Sequence, residues 1–306
     1  MTRHPFGGIY AATILPMTAD GAIDEAALTA HLGAVLATDG IVGLLVNGHA
    51  GENAMLTVAE TAEVVAVARK AAWRKLVVCG INAEGTSAAA ERAACAAREG
   101  ADAVMVFPPF SWALGADRRS IVAHHKAIAE AAGTPMFLFQ GAVGAGKTAY
   151  TEPTLGALLE IETVVGIKEG SWETLAYDRT RRLARTLRPD VAVMASGDEH
   201  LFPSFAIGSD GSLVSLAAVV PELIVALERA VDAGDMAEGR RLHDALFELG
   251  RIVYGAPGHL ATARLKACLV MLGRIPSAVC RAPAPALDAA ETEALAGALR
   301  AAGLTV

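Results

Sequence analysis

Charge is scarce in this sequence, and lysine is its rarest cation. Only 19 % of the 306 residues are charged, and lysine occurs at positions 70, 75, 126, 147, 168 and 266 alone. The formal net charge is −7, with acidic and basic residues interspersed, so no basic face is offered to nucleic acid or an anionic membrane. Cysteine is equally sparse. Cys79, Cys95, Cys268 and Cys280 form no C-x-x-C pair, which excludes a zinc knuckle and a disulfide framework. They read as small buried residues of a reducing compartment. No apolar run is long enough to span a bilayer; the longest candidate, 212–227, is broken by Pro221-Glu222. The opening residues lack the apolar core of a signal peptide, so the expected location is the cytoplasm. No internal repeat or low-complexity linker interrupts the chain.

What the sequence does have is apolar bulk. Hydrophobic residues make up 53 % and the mean hydropathy is +0.40, enough to bury a large core and to exclude disorder. The length suits two ordinary domains or one large α/β barrel.

Apolar runs rich in β-branched residues, at 9–15, 41–46, 76–81, 103–107, 136–139, 164–168, 191–195 and 212–216, read as strands. Between them lie amphipathic segments. Leu28, Leu32, Val35 and Leu36 share one helical stripe, Thr57-Val-Ala-Glu60 is a capping box, and Gly100 is placed to end a helix. Continuously apolar strands alternating with helices imply parallel strands buried on both faces. About eight such units precede residue 233, which predicts an α/β fold of the (β/α)8 TIM-barrel class over 1–233. Met236, Leu242, Leu246, Leu249 and Val253 then form a strand-free stripe, so 234–306 is expected to be a helical extension.

In a parallel barrel, functional groups gather where strands end. Those positions hold Gly48-His49-Ala50-Gly51-Glu52, Pro108-Pro109-Phe110-Ser111, Phe139-Gln140, Lys168-Glu169, Ser196-Gly197-Asp198-Glu199 and Ser215. A lysine ending an apolar run places its amine in a partly dehydrated mouth. Dehydration disfavours the ammonium and lowers its pKa, as a Schiff-base nucleophile requires; snorkelling to solvent or pairing with Glu169 is the structural alternative. Glu52 suits tying down local backbone N–H groups. His124-His125, adjacent on a helix, read as surface residues, while Trp112 and Trp172 suit either a pocket wall or packing. Residues 141–148 (Gly-Ala-Val-Gly-Ala-Gly-Lys-Thr) satisfy the P-loop expression, but Pro153 and the missing strand-end aspartate argue for a chance match.

Gly48-His49-Ala50-Gly51-Glu52 and Val165-Gly166-Ile167-Lys168-Glu169 resemble two motifs of the dihydrodipicolinate synthase / N-acetylneuraminate lyase family. Residues 12–17, 100–109 and 196–215 follow the same pattern in order. The resemblance implies class I aldolase-type cleavage, condensation or dehydration of a pyruvate-like 2-oxo acid through an imine on Lys168. It implies no metal or organic cofactor, and a homotetramer built as a dimer of dimers. It places Gly48, Ala50, Gly51, Ser111, Phe139, Ser196, Gly197, Asp198, Glu199 and Ser215 around substrate, with His49 as the candidate acid–base group or carboxylate binder. A hydratase-aldolase or sugar-acid dehydratase using the same lysine is one alternative. A non-catalytic 2-oxo-acid binding protein is another, and a P-loop nucleotide-binding protein a distant one.

The departures are specific. Phe139 stands where the family has a proton-shuttling tyrosine, Ala50 replaces a hydroxyl residue, Ser111 a second tyrosine, and Gly144 the synthase arginine. Loss of one positioned acid–base group costs about 10²–10⁴-fold in rate. With pyruvate and aspartate semialdehyde, a coupled assay should therefore show turnover at least about 10²-fold below ordinary enzyme rates of about 1–10³ per second. Turnover within that range would mean that other groups have taken over these roles.

Overall fold

Strands β1 (Gly8–Ala12), β2 (Ile41–Val46), β3 (Leu76–Ile81), β4 (Ala103–Val106), β5 (Met136–Gln140), β6 (Val164–Glu169), β7 (Ala192–Ala195) and β8 (Gly211–Val214) pair in chain order. Every pairing is parallel, and β8 closes on β1. This is a computed structural model describing residues 4–306; residues 1–3 of the opening segment lie outside the described residues. Each strand overlaps its expected run. β1 stops short of Leu15 as the chain turns toward Pro16, which has no N–H to give. β8 stops before Ser215, whose helical backbone (φ −83°, ψ −24°) starts the next helix.

Helices α1 (Glu25–Ala37), α2 (Val58–Ala72), α3 (Thr86–Arg98), α4 (Arg118–Ala132), α5 (Glu152–Leu159), α6 (Thr174–Leu187) and α7 (Leu201–Ala206) alternate with the strands, and α8 (Leu216–Val219) and α9 (Pro221–Asp232) follow β8. The stripe of α1 is buried as expected, with His31 added to it. The capping box of α2 forms in full: Thr57 accepts from Glu60 N–H, and Glu60 accepts from Thr57 N–H at 2.8 Å. Such caps contribute about 1 kcal/mol.

Inside the barrel, Tyr10, Leu45, Val78, Met105, Phe107, Phe137, Met194 and Leu213 form one closed cluster. The two largest rings fit only because facing positions carry no side chain. A Cβ on Gly166 would lie 2.3 Å from the Phe137 ring, and one on Gly43 2.8 Å from that of Tyr10. The floor beneath the barrel mouth is therefore packed protein.

Helices α10 (Met236–Tyr254), α11 (Ala261–Met271) and α12 (Ala289–Ala301) complete the chain. Leu242, Leu246, Leu249 and Val253 are buried on α10, each worth about 1.5–3 kcal/mol of burial, whereas Met236 at its exposed start is not. This region packs onto the barrel mouth, and its anchor is ionic. Lys266 on α11 is fully buried and donates to Glu52 Oε1 at 2.5 Å and to Val279 O at 2.6 Å. Glu52 Oε2 accepts from Arg281 N–H at 2.8 Å, and the Arg281 guanidinium pairs with Glu60. Glu52 thus ties down distant backbone from the C-terminal region, where the sequence suggested local backbone.

Two further readings change, and the chance reading of the P-loop match stands. His124 and His125 are buried. His124 shares a 2.9 Å hydrogen bond with Thr86 Oγ1, and His125 reaches Ile121 O and the Tyr150 hydroxyl. Adjacent helical positions do diverge, but both directions here meet neighbouring elements. Cys95 and Cys280 are half-buried, unlike Cys79 and Cys268. Residues 143–148 form a 3₁₀ segment kinked at Gly146, and the next helix, α5, begins only at Glu152 with Pro153 in its first turn. No helix N-terminus follows the glycine-rich loop, so the P-loop geometry is not formed. Among the described residues, no helix is long and apolar enough to cross a membrane.

Glu52→Gln leaves the buried Lys266 ammonium without its counter-charge. Removing one member of a buried pair costs about 3–5 kcal/mol. Denaturant unfolding should register that loss, and a change below about 1 kcal/mol would show that the pair does not anchor the C-terminal region.

Candidate active site

Strand alternation sends Lys168 and Glu169, the last two residues of β6, in opposite directions. Glu169 points outward, accepting from Ser171 Oγ at 2.9 Å and Thr180 Oγ1 at 3.2 Å. Burial raises its carboxyl to about 7. Lys168 points into a cavity of about 530 Å³ at the C-terminal ends of the strands. It does not pair with Glu169, and among the described residues its amine has no hydrogen-bond or ion-pair partner within 4 Å. Burial lowers this amine to about 8, opposed by the attraction of Asp198.

The cavity is chemically two-sided. On one side stand aromatic rings. Lys168 Nζ is 6.0 Å from the Phe107 ring centre and 5.7 Å from that of Phe139, and these rings lie 4.9 Å apart. His49 lies tilted over Phe107, with ring centres 4.4 Å apart and planes at 38°, and Phe139 stands edge-on at 5.6 Å. The outer edge of His49 is exposed at the rim. Loss of hydration and the nearby Lys168 charge push its imidazole down, to about 4. Both effects favour the neutral imidazole over the imidazolium.

On the other side stand Asp198, Ser196, Ser215 and Tyr254. Asp198 Oδ1 accepts from Leu216 N–H at 2.8 Å, where β8 turns into α8. Burial pushes its carboxyl up to about 6, against the opposing pulls of that N–H, the Tyr254 hydroxyl and Lys168. The separation between acid and amine thus shrinks from nearly seven pH units for free side chains (3.8 against 10.5) to about two (6 against 8). Tyr254 ends α10, and Arg264 donates to the adjacent Gly255 O at 2.6 Å. Trp172 packs edge-on against it at 5.2 Å.

Several positions singled out in the sequence meet here: His49, Ala50, Phe139, Lys168, Ser196, Asp198 and Ser215 line one cavity, joined by Glu52 and Trp172. Ser111 and Glu199 do not line it. The Ser111 N–H is turned to Glu84 at 3.0 Å, and Glu199 is a half-buried acid raised to about 6 by burial and by Asp198 beside it. Gly48 and Gly51 shape the turn below, where Gly51 N–H donates to Gly48 O at 3.0 Å. Gly197 holds φ +140°, a conformation that suits glycine, as the chain leaves β7. Trp112 packs on His124 at 5.2 Å, away from the cavity. Tyr254, His259, Thr262, Leu265, Cys280 and Arg281 come from the C-terminal region and carry no local motif that would reveal them.

Of the two Lys and Arg side chains that line the cavity, Arg281 is fully engaged, by Glu60 and by the carbonyls of Gly21 and Met55. Among the described residues no cluster of His, Cys, Asp and Glu is arranged to hold a metal ion. The cavity therefore presents one unpaired amine between an aromatic wall and a buried carboxyl. An NMR titration should place the His49 midpoint near 4, rising when Lys168→Met removes the neighbouring charge. A midpoint at 6–7 in the unaltered protein would restore the ring as an acid–base group at neutrality.

Residues 5–302 match the model of the dihydrodipicolinate synthetase family. The 4-hydroxy-tetrahydrodipicolinate synthase 1 of Streptomyces coelicolor is 32 % identical over 302 residues, covering 98 % of this chain and 94 % of that protein. A DapA-like lyase of Halobacterium salinarum is 30 % identical, covering 97 % and 94 %. Among solved structures, YagE from E. coli K12, a member of the dihydrodipicolinic acid synthase family in complex with pyruvate, superposes with a TM-score of 0.90. Its sequence is 24 % identical, with 98 % and 99 % of the two chains covered, so the likeness is one of fold. The motifs, the closed barrel and the match along almost the whole chain agree: this protein belongs to the dihydrodipicolinate synthetase family of lyases.

Proposed function

We propose that the protein is a Schiff-base lyase acting on a pyruvate-like 2-oxo acid, with Lys168 as nucleophile and no metal or organic cofactor. The observation that carries this reading is the unpaired Lys168 amine on the cavity floor, lowered to about 8 by burial. At pH 7 about one lysine in ten is then the neutral nucleophile, against fewer than one in 10³ for an unperturbed side chain. The amine attacks C2 of the oxo acid, water leaves, and a cationic imine remains. Phe107 and Phe139 present ring density toward that cation. The imine then accepts the electron pair of a neighbouring bond, which is how one lysine serves cleavage, condensation or dehydration.

The turn after β2 supports the placement of the acid end of the substrate. It opens at His49 and Ala50, where a helical segment leaves its first N–H groups without intrahelical partners. These amides and the Ser215 hydroxyl are the proposed carboxylate donors. Phe139, Ala50 and Gly144 lack the tyrosine, hydroxyl and arginine of the synthases the chain resembles. The proposed reaction is accordingly a different lyase reaction of this family rather than dihydrodipicolinate synthesis. The proposed assembly is the homotetramer expected from the resemblance.

Incubation with pyruvate and borohydride should add one reduced adduct per chain, mapped to the peptide containing Lys168. The trapping rate should rise about tenfold per pH unit up to about 8 and level off above it, as the ammonium loses its proton. An adduct that persists in Lys168→Ala would place the imine elsewhere. No adduct with any of a panel of 2-oxo acids would leave a binding protein as the reading.

A further inference from the structure

The reaction proposed for Lys168 requires a group that moves protons beside the imine, and on the aromatic side of the cavity only the His49 ring could serve, as a weak base. Phe107 and Phe139 cannot ionise, and the His49 ring favours its neutral form. The opposite side is built differently. Asp198 has one oxygen fixed by Leu216 N–H at 2.8 Å, and its carboxyl lines the same cavity as the Lys168 amine. Beside it lies the buried Tyr254 hydroxyl, which favours the Asp198 carboxylate. That hydroxyl bears on both Asp198 and Ser215, and Trp172 closes its outer side at 5.2 Å.

We propose that Asp198 is the proton-transfer residue of this site, standing in for the hydroxyl absent at Phe139, and that Tyr254 is its positioning residue. This rests on the Lys168 reading. In imine formation the Asp198 carboxylate takes a proton from the Lys168 ammonium, and the freed amine bonds to C2. Asp198 then returns that proton to the alkoxide oxygen of the adduct, takes a second proton from the carbinolamine nitrogen and passes it to the hydroxyl, which departs as water. The balance is one ammonium and one ketone converted to one protonated imine and one water, with Asp198 unchanged. In carbon–carbon cleavage the 4-hydroxyl proton passes to Asp198 while the C3–C4 electron pair enters the imine. This yields an aldehyde and an enamine, and Asp198 then delivers the proton to C3. Three charged or titratable groups face Asp198: Lys168 from β6, Tyr254 from α10 and its neighbour Glu199, which itself feels Arg251.

The experiment needs no knowledge of the aldehyde. An imine that interconverts with its enamine exchanges the methyl protons of pyruvate for deuterium, and NMR in D₂O follows that exchange. The unaltered protein should exchange these protons, with an acid limb near pH 6 as Asp198 becomes protonated. Asp198→Asn keeps an acceptor for Leu216 N–H. It should still accumulate the borohydride-trapped Lys168 adduct on long incubation, yet exchange at least about 10²-fold more slowly and without that limb. Tyr254→Phe removes a hydroxyl that favours the carboxylate, so the limb should move to higher pH, whereas a purely structural tyrosine would alter thermal stability and leave the midpoint in place. The limb should persist in Glu199→Gln; its loss there would assign it to Glu199 and overturn the proposal. Exchange by Asp198→Asn at the unaltered rate would overturn it too. Absence of both adduct and exchange in the unaltered protein would remove the lysine reading, and this inference with it.

Discussion

Strand alternation places the Lys168 ammonium inside a packed barrel, where it loses hydration that no hydrogen-bond or ion-pair partner among the described residues restores. The arrangement of the site follows from that constraint. A carboxylate in direct contact would have stabilised the charge and held the pKa high. Glu169, next to it in sequence, cannot do so, because the pleat turns it outward to Ser171 and Thr180. Asp198 lines the cavity without forming an ion pair within 4 Å with the lysine, so the two groups perturb each other without neutralising each other.

The mouth around this lysine is held by residues in conformations that side chains rarely adopt. Asn47, Glu52 and Trp172 have φ of 53°, 55° and 61°, and each borders the site. A left-handed residue costs about 1–2 kcal/mol, so neighbours must hold it there. Asn47 is held by its amide on Thr61 O at 3.0 Å, and Glu52 by Lys266 and Arg281. The C-terminal helices therefore do more than extend the barrel. They supply the counter-charges that fix the β2 turn, and they bring Tyr254 and the outer wall of the cavity.

The two walls divide the chemical labour. Phe107 and Phe139 face the amine with ring density, and His49 caps Phe107 at the exposed rim. Asp198, Ser196, Ser215 and Tyr254 bring three hydroxyls and a buried acid to the other wall. Relatives named as synthases share about a third of the sequence over nearly the whole chain.

Periodicity alone located all eight strands, the first helices between them and the strand-end position of Lys168, because alternation and helical stripes are local consequences of burying one face. It also placed His49, Ala50, Phe139, Ser196, Asp198 and Ser215 together, since parallel strands in sequence order bring their ends to one mouth. Other outcomes depended on partners far away in the chain. His124 and His125 are buried because Thr86, Trp112 and Tyr150 cover both directions in which they point. Glu52 meets Lys266 across 214 positions, and Tyr254 reaches Asp198 from the end of a helix that carries no local motif. The ionisation of Lys168, Asp198 and His49 is likewise a tertiary property. A pKa in a cavity is set by lost hydration and by charges brought near through the closure of the barrel, and neither is encoded by a residue's neighbours in sequence.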